Sequence, residues 1–532
     1  MTDLLKKFES SPVRYALLLI AFTTLIRFVF VATGQLNLVQ DESQYWDWTR
    51  HLQLAYYSKG PLIAWIIKTG TLVFGNTELG VRIGSIVGSM LAQLVLFFGI
   101  AKLFRRPALA LLVLFVFNTM PLFQALGILM TTDNSFVLCW AGAIFSLYAA
   151  SLPPSEKQER GISSILPFAC LSIFFGIGIL AKYTMLAFIG VAGLFWLCML
   201  YKGLSWRGFF PRLFVAFAVG LIIGFLPTFI WNFQNDFVGY KHVIYLIGVK
   251  GKHSAQFIRF DRFPDYFGSQ VGLATPWWLI FSLLGAGSII KAVFAKGKHL
   301  LGFTQRQGLL LVCAFLPLWS FFILWSFHAK VLPNWSTVTY VTASIIAAAS
   351  FARYYKDRSA KLWGWRNLWP TLAVLFFVLV HVSPIIPLPD DLNPTHRLKG
   401  WNDLGQKVDT IKNTEFENPD KVFVFSEIYD MTAALAFYVP GQPRTYCAWV
   451  DGRRMNQYDI WPGPVDKVGF DAIYVQKHFY PAIDTEIAKM FDRVEGPLHY
   501  QTTFEGHPAR KFSIYRCYGY NGYWPDKKTG EY

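Results

Sequence analysis

The sequence predicts an α-helical membrane body that crosses the bilayer many times, followed by a small α/β domain on its outer face. The first observation is composition: of 532 residues, 54% are hydrophobic and only 15% are charged, and the mean hydropathy is +0.36. A soluble globular chain of this length carries a larger charged fraction. The second observation is that hydrophobic runs long enough to cross roughly 30 Å of hydrocarbon recur up to residue 388 and then stop.

About eleven such runs succeed one another, which predicts about eleven transmembrane helices. They begin near Tyr15, Ile83, Leu109, Asn134, Ile165, Thr184, Leu213, Val271, Leu309, Val338 and Trp369. The stretch from residue 108 to 130 is the least regular, because Asn118 and Pro121 interrupt it and favour a helix end. The apolar stretch from Leu62 to Phe74 is too short to span and is predicted to lie along the interface as an amphipathic helix.

Lysine and arginine in the short loops predict the orientation, because they concentrate on the cytoplasmic side. This rule places the amino terminus in the cytoplasm, and it places residues 34–80 (the first outer loop) and everything after Pro387 on the opposite face. One loop disagrees, since Lys241, Lys250, Lys252, Arg259 and Arg262 fall outside. That cluster indicates either a topology error or a basic surface that meets an anion. The formal charge of +16 therefore favours anionic lipid or phosphate over nucleic acid.

The membrane body is predicted to comprise residues 1–389 and the tail domain residues 390–532, with the turn-rich segment 389–394 between them. In the tail domain, strands are predicted at 421–425, 444–450, 472–476 and 510–516, and helices at 431–438 and 483–491. Cys447 and Cys517 lie in this outer region, where a disulfide is chemically allowed. The sequence is compatible both with a disulfide between them and with two free thiols.

Two adjacent carboxylates, Asp41 and Glu42, follow the first hydrophobic run. Carboxylates are costly to desolvate at the edge of a hydrocarbon slab, so the pair indicates chemistry at the membrane surface. The alternative is that both cap a short helix beginning near Ser43. Asp133 follows two threonines at the start of a span, where it is a helix cap, a second acidic site residue, or both.

Three basic residues, Lys59, Arg82 and Lys182, fall at the predicted outer boundary of the membrane. Each either binds a phosphate group there or extends its charged end to the lipid headgroups. Carboxylates and cations on one face suit transfer from a phosphate ester, because a base takes the acceptor proton and positive charge stabilises the leaving phosphate.

Several stretches together carry a family resemblance. They are DESQYWDW at 41–48, YYSKGPL at 56–62, FGNTELGVR at 74–82, TTD at 131–133, GILAKY at 178–183, HRLKGW at 396–401 and LAFY at 435–438. In this order they resemble the membrane-embedded GT-C glycosyltransferases of the protein mannosyltransferase and aminoarabinose (lipid A) transferase group. The resemblance covers nearly the whole chain.

The resemblance implies a GT-C fold and transfer, with inversion, of a sugar from a polyprenyl-phosphate donor to a hydroxyl of a lipid (lipid A or lipopolysaccharide), protein or glycan. It implies a multi-pass protein of the bacterial inner membrane whose active site and tail domain face the periplasm. The partners are then the donor, the acceptor and membrane lipids, with no nucleic acid. The implied catalytic residues are Asp41, as base or as the residue that orients the acceptor, Glu42 as its helper, and Asp133. The implied ligands of the donor phosphate are Lys59, Arg82 and Lys182.

One position departs from the family pattern. Relatives that act on lipid A carry an acidic residue before the lysine that matches Lys59, whereas this chain has Ser58. No divalent metal or other cofactor is therefore predicted, although Asp41, Glu42 and Asp133 are possible metal ligands should they converge.

Two other functions stay open: a transporter or flippase for a lipid-linked sugar, and a ligase that transfers a whole lipid-linked glycan. Transporters favour polar groups at mid-bilayer and repeated halves. In this chain the candidate charges crowd one interface and no repeat is evident, so the sequence favours the enzyme over the transporter. Release of a monosaccharide or of an oligosaccharide would separate a simple transferase from a ligase.

Overall fold

A computed structural model describes residues 11–246, 260–294, 301–357, 363–382 and 398–525. The predicted linker at 389–394 and the basic residues Lys250, Lys252 and Arg259 lie outside these ranges. Up to Val382 the chain is built of helices, and from Leu398 onward it forms an α/β unit.

The described part of the membrane body is built of long apolar helices and shorter connecting ones. They are α1 (Pro12–Ala32), α2 (Gln40–Trp48), α3 (Leu62–Phe74), α4 (Glu78–Phe98), α5 (Pro107–Thr119), α6 (Pro121–Leu126), α7 (Thr132–Ser151), α8 (Pro154–Glu159), α9 (Leu166–Ala181), α10 (Ala187–Tyr201), α11 (Phe209–Gln234), α12 (Val238–Leu246), α13 (Phe263–Ala274), α14 (Pro276–Phe294), α15 (Gln305–Trp325), α16 (Thr339–Asp357) and α17 (Trp363–Val382). Within the described ranges, 7 helical stretches are long and apolar enough to cross a membrane. The chain is a multi-pass membrane protein.

A helix lies at each predicted span, and α3 has the bounds predicted for the interfacial helix. The total of about eleven crossings stays a prediction. The irregular stretch is divided as expected, because α5 ends at Thr119 and Pro121 begins α6. The predicted start of a span near Val271 is wrong. Thr275, at a φ of 68°, separates α13 from α14, and Pro276 opens the new helix.

The helix α7 is the most enclosed of the long helices. In its most apolar stretch 94% of the residues are buried, and it packs against α9 and α4. A helix that is apolar on all sides belongs inside a bundle. The first residues of α7, including Asp133, are therefore held at the centre of one end of the membrane body.

The tail domain contains a 5-stranded sheet in the order β2-β1-β3-β5-β4. The strand β1 pairs in parallel with β2 and β3, whereas β5 pairs antiparallel with β3 and β4. The elements are α18 (Trp401–Thr414), β1 (Val422–Ser426), α19 (Tyr429–Tyr438), β2 (Thr445–Cys447), β3 (Asp471–Lys477), α20 (Thr485–Ala488), β4 (Phe491–Phe504) and β5 (His507–Tyr520). The helix α19 supplies the crossover that the parallel strands β1 and β2 require.

The predicted α/β class of the tail domain is confirmed, and β1, β2, β3 and β5 overlap the predicted strands. The helix predicted at 483–491 is wrong beyond one turn, because α20 ends at Ala488 and β4 begins at Phe491. The elements α18 and β4 were not predicted.

Cys447 and Cys517 are free and buried. Cys447 ends β2 and Cys517 lies on β5, with β1 and β3 between them. Neighbouring strands are about 4.8 Å apart, so the two Cα atoms are separated by roughly 14 Å, twice the reach of a disulfide. The fold thus excludes a bridge between them.

The tail domain packs directly on the first outer loop. Trp46 of α2 stands edge-on to Phe437 of α19, with 4.9 Å between ring centroids. Ala436 and Phe437 belong to one buried cluster with the aromatic residues of the loop. The hydroxyl of Tyr458 donates to Oδ2 of Asp47 at 2.7 Å. The first outer loop therefore completes its core with residues of the tail domain.

Candidate active site

The helix α2 carries the adjacent carboxylates Asp41 and Glu42. It begins at Gln40 with Val39 as N-cap, which is earlier than the predicted start near Ser43. Oε2 of Glu42 accepts the backbone N–H of Val39 at 2.8 Å, in the manner of a capping box. Glu42 is thus one of the helix caps that the sequence left as an alternative.

Glu42 and Arg82 form a buried ion pair, each with 1% of its side chain exposed. Nε of Arg82 donates to Oε1 at 2.9 Å and Nη2 donates to Oε2 at 2.7 Å, a bidentate contact. The guanidinium also donates to the carbonyls of Leu36 and Asn37 at 2.8 and 2.7 Å. The backbone N–H of Met130 donates to Oε1 of Glu42 at 2.7 Å. The pair therefore ties the start of α2 to α4 and to the segment before α7.

Asp133 lies in the first turn of α7, where Thr131 takes the N-cap position. Oδ1 of Asp133 accepts from Nζ of Lys182 at 2.8 Å, and Oδ2 accepts from Nδ2 of Asn334 at 2.7 Å. The Asp133 side chain is 1% exposed and that of Lys182 is 12% exposed. The positive end of the α7 dipole adds to the charge that stabilises this carboxylate.

Lys59 lies near Lys182 because the residue after it is glycine. A Cβ on Gly60 would lie 2.1 Å from the carbonyl oxygen of Leu180, so only glycine permits the first outer loop to approach the end of α9 so closely. The half-buried Lys59 side chain makes no hydrogen bond or ion pair to any residue that the structure describes. Burial lowers the pKa of Lys59 and Lys182 lowers it further, while Asp41 and Asp133 oppose the shift.

Asp41 is the accessible carboxylate of α2, with an exposed side chain. Desolvation by the surrounding protein raises its pKa, Lys59 lowers it, and Asp430 raises it again. Asp430 belongs to the tail domain, where Nζ of Lys477 donates to its Oδ2 at 2.5 Å. Asp41 thus faces the place where the first outer loop meets the tail domain.

The structure brings four of the predicted residues into electrostatic contact. Asp41 and Lys59 act on each other, and Lys59 also interacts with Asp133 and Lys182. Glu42 and Arg82 form the separate buried pair described above, and their hydrogen bonds are made within the protein. The group of four offers an accessible carboxylate that can accept a proton and ammonium groups that can hold an anion.

Some residues at this site belong to no recognisable sequence motif. Asn334 reaches Asp133 from the 3-10 turn Pro333–Ser336, 201 positions away. The tail domain contributes Tyr429, Asp430 and Lys477. Burial is the main cause that raises the pKa of Tyr429, and the negative charge of Asp41 raises it further. No local motif distinguishes an asparagine or a lysine that becomes a neighbour only through tertiary packing.

The candidate metal ligands do not converge. Among the residues that the structure describes, no group of three or more histidine, cysteine, aspartate or glutamate side chains is arranged to hold a metal ion. Glu42 pairs with Arg82 and Asp133 pairs with Lys182.

Comparison with known proteins gives consistent matches. Residues 58–231 match the dolichyl-phosphate-mannose-protein mannosyltransferase family. The chain is 25% identical over 335 residues to the lipid A galacturonosyltransferase RgtD of Rhizobium johnstonii, covering 63% of this chain and 65% of that one. It is 26% identical over 222 residues to the undecaprenyl phosphate-alpha-4-amino-4-deoxy-L-arabinose arabinosyl transferase of Erwinia tasmaniensis, covering 40% and 38%. The chain thus spans less than two thirds of the length of these relatives.

The fold is similar to the apo crystal structure of ArnT from Cupriavidus metallidurans, with a TM-score of 0.61 at 15% identity. The match covers 94% of this chain and 98% of that one. The structure of the same protein bound to undecaprenyl phosphate also gives a TM-score of 0.61. The likeness confirms the predicted fold class, a helical membrane body with a small α/β domain.

Proposed function

We propose that the chain is a membrane glycosyltransferase of the GT-C group that contains the protein mannosyltransferases and the aminoarabinose (lipid A) transferases, as its similarity to that family model, to RgtD and to the fold of ArnT supports. It transfers a sugar from a polyprenyl-phosphate donor, of which undecaprenyl phosphate is the carrier, to a hydroxyl group of lipid A. The reaction takes place at the periplasmic face of a bacterial inner membrane. The names of the relatives support this donor and this acceptor.

The observation that carries the proposal is the arrangement of Asp41, Lys59, Asp133 and Lys182. An accessible carboxylate stands within electrostatic range of an ammonium group that makes no hydrogen bond to another described residue. That ammonium group in turn lies beside the Lys182–Asp133 pair. A base next to a cluster of positive charge is what transfer from a phosphate ester requires.

In the proposed reaction, Asp41 accepts the proton of the acceptor hydroxyl while the oxygen attacks the anomeric carbon. A bond forms between that carbon and the acceptor oxygen, and the bond from the carbon to the phosphate oxygen breaks. The electron pair leaves with the polyprenyl phosphate, whose charge Lys59 and Lys182 stabilise. A single displacement of this kind inverts the anomeric centre.

Glu42 and Arg82 act as positioning residues in this scheme. Arg82 donates to Glu42 and to the carbonyls of Leu36 and Asn37, which fixes the turn from which Asp41 projects. Asp133 orients Lys182 through the 2.8 Å contact. We therefore assign contact with the donor phosphate to Lys59 and Lys182, and assign orientation of α2 to Arg82.

The proposal is tested by mass spectrometry of envelope lipids from cells that lack the protein. The cells are complemented with the wild-type chain, with Asp41→Asn, or with the control Asp420→Asn, which alters an exposed aspartate of the tail domain. We expect wild type and the control to restore a sugar on lipid A. Asp41→Asn should leave the unmodified lipid and accumulate the polyprenyl-phosphate sugar.

Other outcomes would change the assignment. Full restoration by Asp41→Asn would remove this residue from the mechanism. Transfer of a whole glycan in place of one sugar would indicate a ligase. Loss of the donor itself from the outer face would indicate a flippase.

A further inference from the structure

A polar crevice lies between the first outer loop and the tail domain, away from the reacting groups. Its volume is about 670 Å³, which falls within the range of small-molecule sites, roughly 300–1,000 Å³. Its walls come from the start of α4, from α18, from the end of α19 and from the turn between β4 and β5. The helix α18 lies directly against the end of α19, since a Cβ on Gly405 would lie 2.1 Å from the carbonyl oxygen of Tyr438.

The helix α19 connects the crevice to the candidate active site. This helix packs against α2, which carries Asp41. Tyr429 lies at its first turn, whereas Tyr438, its last residue, lines the crevice. Nine residues of helix at about 1.5 Å each separate them by roughly 13 Å. That length exceeds one sugar ring, so a monosaccharide on a donor phosphate at the Tyr429 end of α19 does not reach the Tyr438 end.

The walls of the crevice present side-chain amide groups, two of which make no hydrogen bond to a described residue. Asn402 and Gln406 lie four residues apart on one face of α18, and both side chains are exposed. Neither side chain makes a hydrogen bond to a residue that the structure describes. Gln442 is also at the wall and donates to the carbonyls of Asn76 and Phe437 at 3.2 and 3.3 Å. An amide offers two donors and one acceptor oxygen, which matches a hydroxyl group that both donates and accepts.

The described lining of the crevice carries negative charge, which disfavours anions. The described lining includes no lysine, arginine or histidine, and it includes Glu78, Asp403 and Glu505. Oδ1 and Oδ2 of Asp403 already accept hydrogen bonds from the tail domain. Lys399 lies 5.3 Å from the centre of the Phe504 ring, and this ring also lines the crevice. A phosphate or a uronate would meet carboxylates here, whereas an uncharged sugar would meet amides and an aromatic ring.

We propose that this crevice binds an uncharged sugar unit of the acceptor glycolipid. The assignment to the acceptor rests on the proposed function, in which the donor carries a single sugar and the acceptor is therefore the larger sugar-bearing substrate. The sugar in the crevice orients the acceptor, and a hydroxyl elsewhere on the same molecule reaches Asp41.

The test uses full-length protein in a detergent that has no sugar headgroup. Saturation-transfer NMR measures binding of maltose and of diacetylchitobiose, with glucose 1-phosphate as the anionic probe. The double variant Asn402→Ala with Gln406→Ala removes the two amides. The control Asn413→Ala removes an exposed amide from the far end of α18, outside the crevice.

We expect a disaccharide to bind saturably to wild type and to the control. Its Kd for the double variant should be about tenfold higher, because two neutral hydrogen bonds are lost. Glucose 1-phosphate should not compete. In a transfer assay, the double variant should raise the KM for the acceptor and leave kcat unchanged.

Three results would overturn the inference: no saturable binding of either disaccharide, equal binding to the double variant, or equal competition by glucose 1-phosphate. Wild-type protein that binds the disaccharide but transfers no sugar would refute the proposed function and leave a carbohydrate site in the crevice. Transfer with an unchanged acceptor KM in the double variant would refute the acceptor assignment alone.

Discussion

Asp41 and Glu42 are neighbours in the sequence, yet a rotation of about 100° along α2 gives them different surroundings. Glu42 points into the protein and accepts from Arg82, Val39 and Met130. Asp41 stays accessible and meets Lys59 and the tail domain. Glu42 therefore stabilises the loop, and Asp41 is free to take a proton.

The acid limb of kcat/KM should report the ionisation of Asp41, because the base must be deprotonated. The surrounding protein raises the pKa of Asp41 above 3.8, so activity should fall on acidification at a higher pH than ordinary aspartate would give. Lys59→Gln removes a charge that lowers this pKa and should move the limb to higher pH. Asp430→Asn removes a charge that raises it and should move the limb to lower pH.

The measurement is kcat/KM for transfer at a series of pH values in a reconstituted assay. Asp420→Asn serves as the control and should leave the limb in place, since its side chain is exposed. A shift of both variants in the same direction would contradict the assignment of Asp41 as base.

Substitution of Lys59 should lower activity alone, whereas substitution of Lys182 should lower both activity and stability. Lys59→Ala should lower kcat by about a hundredfold with an unchanged Tm, because the Lys59 side chain makes no hydrogen bond or ion pair with a described residue. Lys182→Ala should lower kcat and also destabilise the fold by on the order of 3 kcal/mol, because Asp133 is 1% exposed and would lose its counter-ion. Transfer kinetics and thermal unfolding in detergent check both. Equal loss of Tm in the two variants would contradict this division.

The sequence singled out the charges of the site but could not assign their partners. Carboxylates beside a hydrophobic run are visible as an unusual pattern. The pairing of Glu42 with Arg82 joins residues 40 positions apart, and the contact of Asp133 with Asn334 joins residues 201 positions apart. Such pairs depend on how helices pack, which hydropathy does not encode.

At the scale of elements, the predictable parts are those with a strong local signal. Long apolar runs gave the spans, and Pro121 gave the break between α5 and α6. The helix α18 was missed although Trp401, Leu404, Val408 and Ile411 repeat at helical spacing and are buried. The strand β4 was missed because its side chains are mostly polar or exposed, and only its pairing with β5 makes it a strand.

The pair that holds α2 should be a determinant of stability. Glu42→Gln leaves the Arg82 charge buried without an anion, which should cost about 3–5 kcal/mol of unfolding free energy. Transfer activity should fall as well, because the turn before Asp41 loses its anchor. Glu486→Gln is the matched control, since its partner Lys489 is 63% exposed and a surface pair of this kind contributes little. Thermal unfolding that ranks the two variants equally would contradict the role of the buried pair.

At the scale of the whole molecule, the membrane body and the tail domain share one site. The first outer loop supplies Asp41 and Lys59, and the tail domain supplies Asp430 and Lys477 next to them. The hydroxyl of Tyr438 accepts from the backbone of Leu38 at 2.5 Å and donates to Glu78 at 2.6 Å. The tail domain therefore helps to fix the loop that carries the proposed base.

Phe437→Ala tests this dependence. Phe437 is 7% exposed and packs edge-on against Trp46, so truncation should cost about 3–5 kcal/mol and should reduce transfer by loosening α2. Phe479→Ala removes the same side chain from a position that is 41% exposed and should change neither property. Unfolding in detergent and transfer rates compare the two variants. Unchanged transfer in a destabilised Phe437→Ala protein would show that the loop holds its conformation without the tail domain.

The shared core of the first outer loop and the tail domain also sets an order of events during biosynthesis. The ribosome delivers Asp41 and Trp46 early, whereas Phe437 and Tyr458 arrive several hundred residues later. Until those late residues have been made, Trp46 lacks the ring of Phe437 and Asp47 lacks the hydroxyl of Tyr458. A nascent chain that has not yet reached the tail domain therefore holds Asp41 and Lys59 on an unfinished surface, and the core of the loop is completed only after Tyr458 has been made.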